Sequence, residues 1–179
     1  MQNYVDRYLT LEEKLDFVDS YVQFATDNNL TEHTIFSYFL KAESQAWVGQ
    51  KENALKNFHK VIKLSKKLKN KNSEFLGYSG LFYLYLKKQP NDSLEFYKNK
   101  SEQLFLSVEN PFYRAIQKRH LARYYLDKED FLKALNLLLA IDKENVLKES
   151  SIHCSALSDL GWMYEHLYYH ERAKIYYLK

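Results

Sequence analysis

From Leu11 to Tyr177 apolar residues return every three or four positions, and very little interrupts them. That spacing puts them on one face of a helix, and nothing in the chain alternates with the period of two that a half-buried strand needs. The punctuation is sparse: 179 residues contain four Gly and two Pro. A sheet protein of this length needs more residues that adopt left-handed or locked backbones in its turns. The chain is therefore expected to be all-α.

Helices are read over 11–27, 31–47, 52–68, 73–86, 93–106, 112–126, 131–141 and 150–168, with a last one from Glu171 onward. Thr10 precedes the first helix with Glu13 three residues on, the spacing of a capping box. Gly49 suits the left-handed residue that closes a helix. Pro90-Asn91 and Asn110-Pro111 mark turns. Connections of about three to six residues are those of antiparallel neighbours. With no long linker or low-complexity tract, one continuous domain is expected: 1–30 as an N-terminal helix or cap, then 31–179 as about four helical hairpins, the last incomplete.

The hairpins repeat. Small residues open the second helix of each pair at Ala54, Ser93, Ala134 and Ala173. The step is 39 from the first to the second, 41 to the third and 39 to the fourth. Four positions later stand Phe58, Tyr97, Leu138 and Tyr177. Twelve positions before three of them lie Ala42, Ala122 and Gly161, and Gly80 lies thirteen before Ser93. Small residues in the middle of the first helix are expected to let its partner approach closely, with aromatics filling the space above and below.

The fourth unit reads Leu160-Gly161-x-x-Tyr164 and then Ala173-x-x-x-Tyr177. The third reads Leu121-Ala122-x-x-Tyr125, then Phe131, Ala134 and Leu138. This resembles the tetratricopeptide repeat, over about 31–179. The period near 40 rather than ~34 and the absence of the usual terminal Pro, at Lys66 in the first unit, depart from the commonest form. They look like the longer-helix variant of bacterial signalling proteins, such as the Rap- and PlcR-type peptide receptors. The resemblance implies a right-handed superhelical solenoid of antiparallel helix pairs that binds a protein segment or peptide in its concave groove. In such repeats the first helix of each unit lines that groove. The equivalent positions here are Phe36, Phe39 and Glu43; Ile116, Arg119, Arg123 and Leu126; and Ser158, Trp162 and Glu165. Arg119 and Arg123, one turn apart, could clamp a carboxylate, and Trp162 could pack a peptide. None of these positions carries the Asn with which peptide receptors of the family hold a peptide backbone.

The remaining chemistry is thin. No Gly-rich phosphate loop, Gly-x-Ser-x-Gly or partnered carboxylate pair is present, so catalysis, a cofactor and a metal are not expected. His166 and His170 are four apart, but the repeat places a turn between them. Cys154 reads as a packing residue. Lys56, Lys60, Lys63 and Lys67 share one face within the basic stretch 51–71, which reads as a solvated surface. Two further readings stand beside the binding scaffold. One is a peptide-sensing fragment of a larger bacterial regulator, phosphatase or kinase; the other is a nucleic-acid-binding regulator using 51–71. Against the second, the net charge is only +3. One cysteine, no signal-like start and no apolar run of membrane-spanning length point to the cytoplasm. The last helix stops at Lys179 before the unit is complete, so pairing of two copies through that end is a further expectation.

Overall fold

The computed structural model describes residues 10–86, 92–144, 147–148 and 150–179. These are all-helical, with no strand among them. The helices are α1 (Leu11–Asp27), α2 (Thr31–Trp47), α3 (Lys51–Lys67), α4 (Lys71–Leu86), α5 (Asp92–Phe105), α6 (Pro111–Asp127), α7 (Phe131–Asp142), α8 (Ser151–His166) and α9 (His170–Leu178). The sequence reading located each to within about two residues. The turn at 88–91 and the first nine residues lie outside the described residues.

Successive helices begin at Leu11, Thr31, Lys51, Lys71, Asp92, Pro111, Phe131, Ser151 and His170. The underlying step is thus one helix plus one turn, half the repeat seen in the sequence. Five junctions share a three-residue turn whose middle residue is left-handed: Asn29 (φ 53°), Gly49 (80°), Lys69 (55°), Glu129 (58°) and Tyr168 (61°). In each, the next residue donates its N–H to the carbonyl five residues back. These bonds run from Leu30 to Ala25, Gln50 to Gln45, Asn70 to Ser65, Asp130 to Tyr125 and Tyr169 to Tyr164, at 2.8–2.9 Å. That residue's own carbonyl accepts the first bond of the following helix, as from Thr34 to Leu30 at 2.8 Å. The turn therefore satisfies the end of one helix and starts the next with a single residue. Side-chain caps add to this at five starts, among them Asn70, whose Oδ1 accepts from the Ser73 N–H at 3.0 Å, and Asp130, whose Oδ1 accepts from the Lys133 N–H at 3.3 Å. Thr10 and Glu13 form the expected capping box. Asn110 Oδ1 accepts from the Phe112 N–H at 2.9 Å, ahead of Pro111. Ser150 Oγ accepts from the His153 N–H at 3.3 Å.

The chain divides into two compact units, 3–109 and 110–179. In the first, each helix packs on the next, and α2 also reaches α4. The core centres on α4, which is buried without a break from Ser73 to Phe82. A helix buried on every side needs small residues wherever a neighbour comes close. Here a Cβ on Gly80 would run into the ring of Phe58, and one on Gly77 into Ile62. Gly80 therefore makes room for α3, the helix before it, and not for the second helix of its own hairpin.

In the second unit α6 packs on α7 and α8 on α9, with α8 also meeting α7 and α6. Ala122, Ala134 and Ala173 are buried as their register requires. Gly161 is covered by the ring of Tyr177, whose Cε1 lies 2.5 Å from where a Cβ would stand.

Candidate functional site

The expected groove residues divide by unit, and the structure treats them differently. In the first unit Phe36 is half-buried, but Phe39 is only 1% exposed. Its ring stacks on Phe36 at 6.2 Å and tilts against Phe58 at 6.0 Å. Phe39 is therefore a core residue and offers no surface to a ligand. The assignment fails because Phe39 is turned toward α3, where Phe58 covers it. Glu43 is half-buried and already engaged.

In the second unit the two arginines converge on Asp159 of α8. Arg119 Nε donates to Oδ2 at 2.7 Å, while Arg123 donates from Nε to Oδ2 at 3.2 Å and from Nη2 to Oδ1 at 2.7 Å. Asp159 and Arg119 are buried, and Arg123 is half-buried. The carboxylate clamp expected from the sequence is thus filled by the chain's own carboxylate, so the arginines tie α6 to α8. A buried carboxylate demands such partners. Ile116 and Leu126 of the same face are also buried, while Ser158 is exposed. Near the end of α6, burial raises the pKa of Asp127 above the ordinary carboxylate value, opposed by the positive charges of Arg123 and Lys128.

Trp162, three residues beyond Asp159, is the aromatic groove residue most open to solvent, at 42% exposure. Its indole lies against the His166 imidazole, with ring centroids 3.8 Å apart. His166 is held by its Nδ1, 3.2 Å from the Trp162 carbonyl. Glu165, also exposed, accepts the Tyr177 hydroxyl at 2.9 Å. Partial burial, and then that bond, raise the pKa of Tyr177. Between α8 and α9 a shallow depression of about 290 Å³ is lined by Glu165, His170, Ala173, Lys174, Tyr177 and Leu178.

Elsewhere in this unit Asp142 gathers two partners: His153 Nε2 at 3.1 Å and Lys179 Nζ at 2.9 Å. Burial pushes its carboxyl up, but the hydrogen bonds from Lys179 and His153 together outweigh it and hold the pKa below the ordinary value. This cluster, which the sequence reading missed, ties α7 to the start of α8 and to the residue after α9. Cys154 is exposed rather than packed, because the buried face of α8 there is taken by Ile152, His153 and Ala156. His166 and His170 lie on either side of the turn at 167–169, as expected. Among the described residues, no group of three or more His, Cys, Asp or Glu could hold a metal ion. No helix among them is long and apolar enough to cross a membrane. Set against known proteins, the chain matches no family model, no curated protein and no solved structure.

Proposed function

We propose that this chain is a tetratricopeptide-type repeat protein, a right-handed superhelical stack of hairpins. In this reading it holds a protein segment or peptide in the cytoplasm and carries no catalysis of its own. The repeat is supported by the regular helix-and-turn step, by the turn shared at five junctions, and by the buried Ala42, Ala54, Ala122, Ala134 and Ala173 in register. The observation that carries the binding reading is Trp162. A large aromatic stands exposed at a groove position, on a helix anchored by the ionic contact at Asp159, and lies tilted against His166 rather than folded into the core. A fixed, half-exposed indole is the kind of anchor that dominates peptide recognition. Glu165 and Tyr177 add a polar edge beside it. Arg119 and Arg123 serve as supports for α8 in this reading, not as ligand contacts.

The test is selection from a displayed random-peptide library on the immobilised full chain, repeated with Trp162→Ala. Enriched peptides whose affinity drops by about tenfold or more in the variant are expected, the loss of roughly one binding anchor. Failure to enrich any peptide, or equal binding by the variant, would remove Trp162 from the site and the groove reading with it.

A further inference from the structure

Within the unit 3–109, charge is sorted by helix. α1 carries Glu12, Glu13, Asp16, Asp19 and Asp27 against the single Lys14. α3 carries Lys51, Lys56, Lys60, Lys63, Lys66 and Lys67 against the single Glu52. The placement on each helix is just as regular. Lys56, Lys60, Lys63 and Lys67 follow one another by four, three and four positions, which keeps them on one exposed face about 16 Å long. Glu12, Asp16, Asp19 and Gln23 follow the same steps on α1, continued by Asp27, and all are exposed. The two stripes are opposite in sign and equal in spacing.

Neither stripe is neutralised by its own unit. Among the described residues Lys56, Lys63 and Lys67 make no ion pair, nor do Glu12 and Asp16, while Asp19 meets Lys41 at 2.6 Å. Beside the acidic stripe, Phe17 and Phe24, two turns apart, are 50% and 58% exposed. Lysine stems cover aromatic surface well, with the ammonium over the ring face. This chain does so internally, with Lys60 Nζ 3.8 Å from the centre of the Tyr38 ring.

We propose that α1 of one molecule docks on α3 of a second copy of this chain, acidic stripe to lysine stripe, with Phe17 and Phe24 covered by lysine stems. A polyanion such as nucleic acid fits less well. The stretch 3–109 holds 15 basic and 14 acidic residues, so a polyphosphate on α3 would also meet the field of α1. A second copy offers each of the two helices a stripe of the opposite sign.

Sedimentation of the wild-type chain over a range of concentrations tests this, at ~50 mM and at ~0.5 M salt, since the higher salt screens charges beyond a few ångströms. Association is expected at low salt, weakened by about tenfold or more at high salt. Lys56→Glu/Lys63→Glu/Lys67→Glu and Glu12→Lys/Asp16→Lys/Asp27→Lys are each expected to reduce it. In each variant both stripes carry the same sign, so two copies of one variant have no opposite stripe to offer. Mixed one to one, the two variants again present opposite stripes and should associate at low salt. Circular dichroism establishes that each variant is folded, and Lys56→Gln/Lys63→Gln/Lys67→Gln replaces the lysine reversal if that one is not. A wild-type chain that stays monomeric at low salt overturns the proposal, including one that binds a single-stranded oligonucleotide as a monomer. So does association unchanged in both variants, or a mixture that fails to associate.

Discussion

The two units use the same helix-and-turn step but hold their helices together by different chemistry. In 3–109 the central helix α4 is enclosed by apolar side chains, and its closest contact is made by leaving side chains out, at Gly77 and Gly80, so that Ile62 and Phe58 can enter. In 110–179 the contact between α6 and α8, the counterpart of α2 with α4, includes two arginines sharing one buried carboxylate. An apolar seam tolerates changes that conserve volume and punishes a cavity. An ionic seam punishes the loss of one partner far more than the loss of all of them. One repeat can therefore carry either seam, but the two should break differently.

The largest effect is expected at Phe58. Phe58→Ala removes the ring that fills the notch at Gly80 and meets Phe39, and should cost about 3–5 kcal/mol in urea unfolding. Gly80→Ala should also destabilise the wild type, since its Cβ would strike that ring, yet cost much less in the Phe58→Ala background, where the space is vacated. Hydrogen exchange would sharpen the comparison. If Phe58→Ala lowers protection in α2–α4 but leaves α6–α9 unchanged, the units unfold independently; a uniform loss would make them one cooperative structure.

Next in size is the ionic seam. Asp159→Ala leaves two guanidinium groups facing one another without a counter-charge. It should cost about 2–4 kcal/mol, toward the lower end because Arg123 is partly exposed. The triple change Asp159→Leu/Arg119→Leu/Arg123→Met should recover most of that loss, because it removes the unpaired charges as well as the pair. Equal unfolding midpoints for the single and triple variants would show that the seam gains nothing from its chemistry and that the site is held by its apolar surroundings.

These two seams also show how far the sequence could be read. The helices were legible because their apolar spacing and their Asn, Gly and Pro signals are local. The repeat was legible because Ala54, Ala134 and Ala173 recur in register. Pairing across hairpins was less so. Phe36 and Phe39 both sit at groove positions, yet only the second is fully buried, against Phe58 of α3, and that pairing across helices leaves no local mark in the sequence. Arg119 and Arg123 suggested a clamp, and the carboxylate they hold belongs to the next hairpin. A signal did exist: Asp159 stands one repeat after Arg119, among the apolar residues Leu157 and Leu160, where an ionised side chain needs a partner. The cluster at Asp142 had no such cue, because Lys179 and His153 reach it from two different helix ends.

The smallest effect concerns what both units share, the left-handed residue of the turn. Only Gly49 has the residue type that makes this conformation free of strain; Lys69, Glu129 and Tyr168 adopt it with a Cβ. The bond from the following N–H to the carbonyl five back, present at all five of these turns, holds them there. Relief of that strain should make Lys69→Gly and Glu129→Gly stabilising by about 0.5–1 kcal/mol, even after the entropy that glycine adds to the unfolded chain. Gly49→Ala should cost about 1 kcal/mol, with open space around its Cβ so that only the backbone is tested. Similar gains at Lys69 in one unit and Glu129 in the other would mean that the turn is a common mechanical element, independent of whether the seam beside it is apolar or ionic. A gain at one and a loss at the other would mean that each turn is fixed by its own neighbours, and the uniform helix-and-turn step would then be a result of packing rather than its cause.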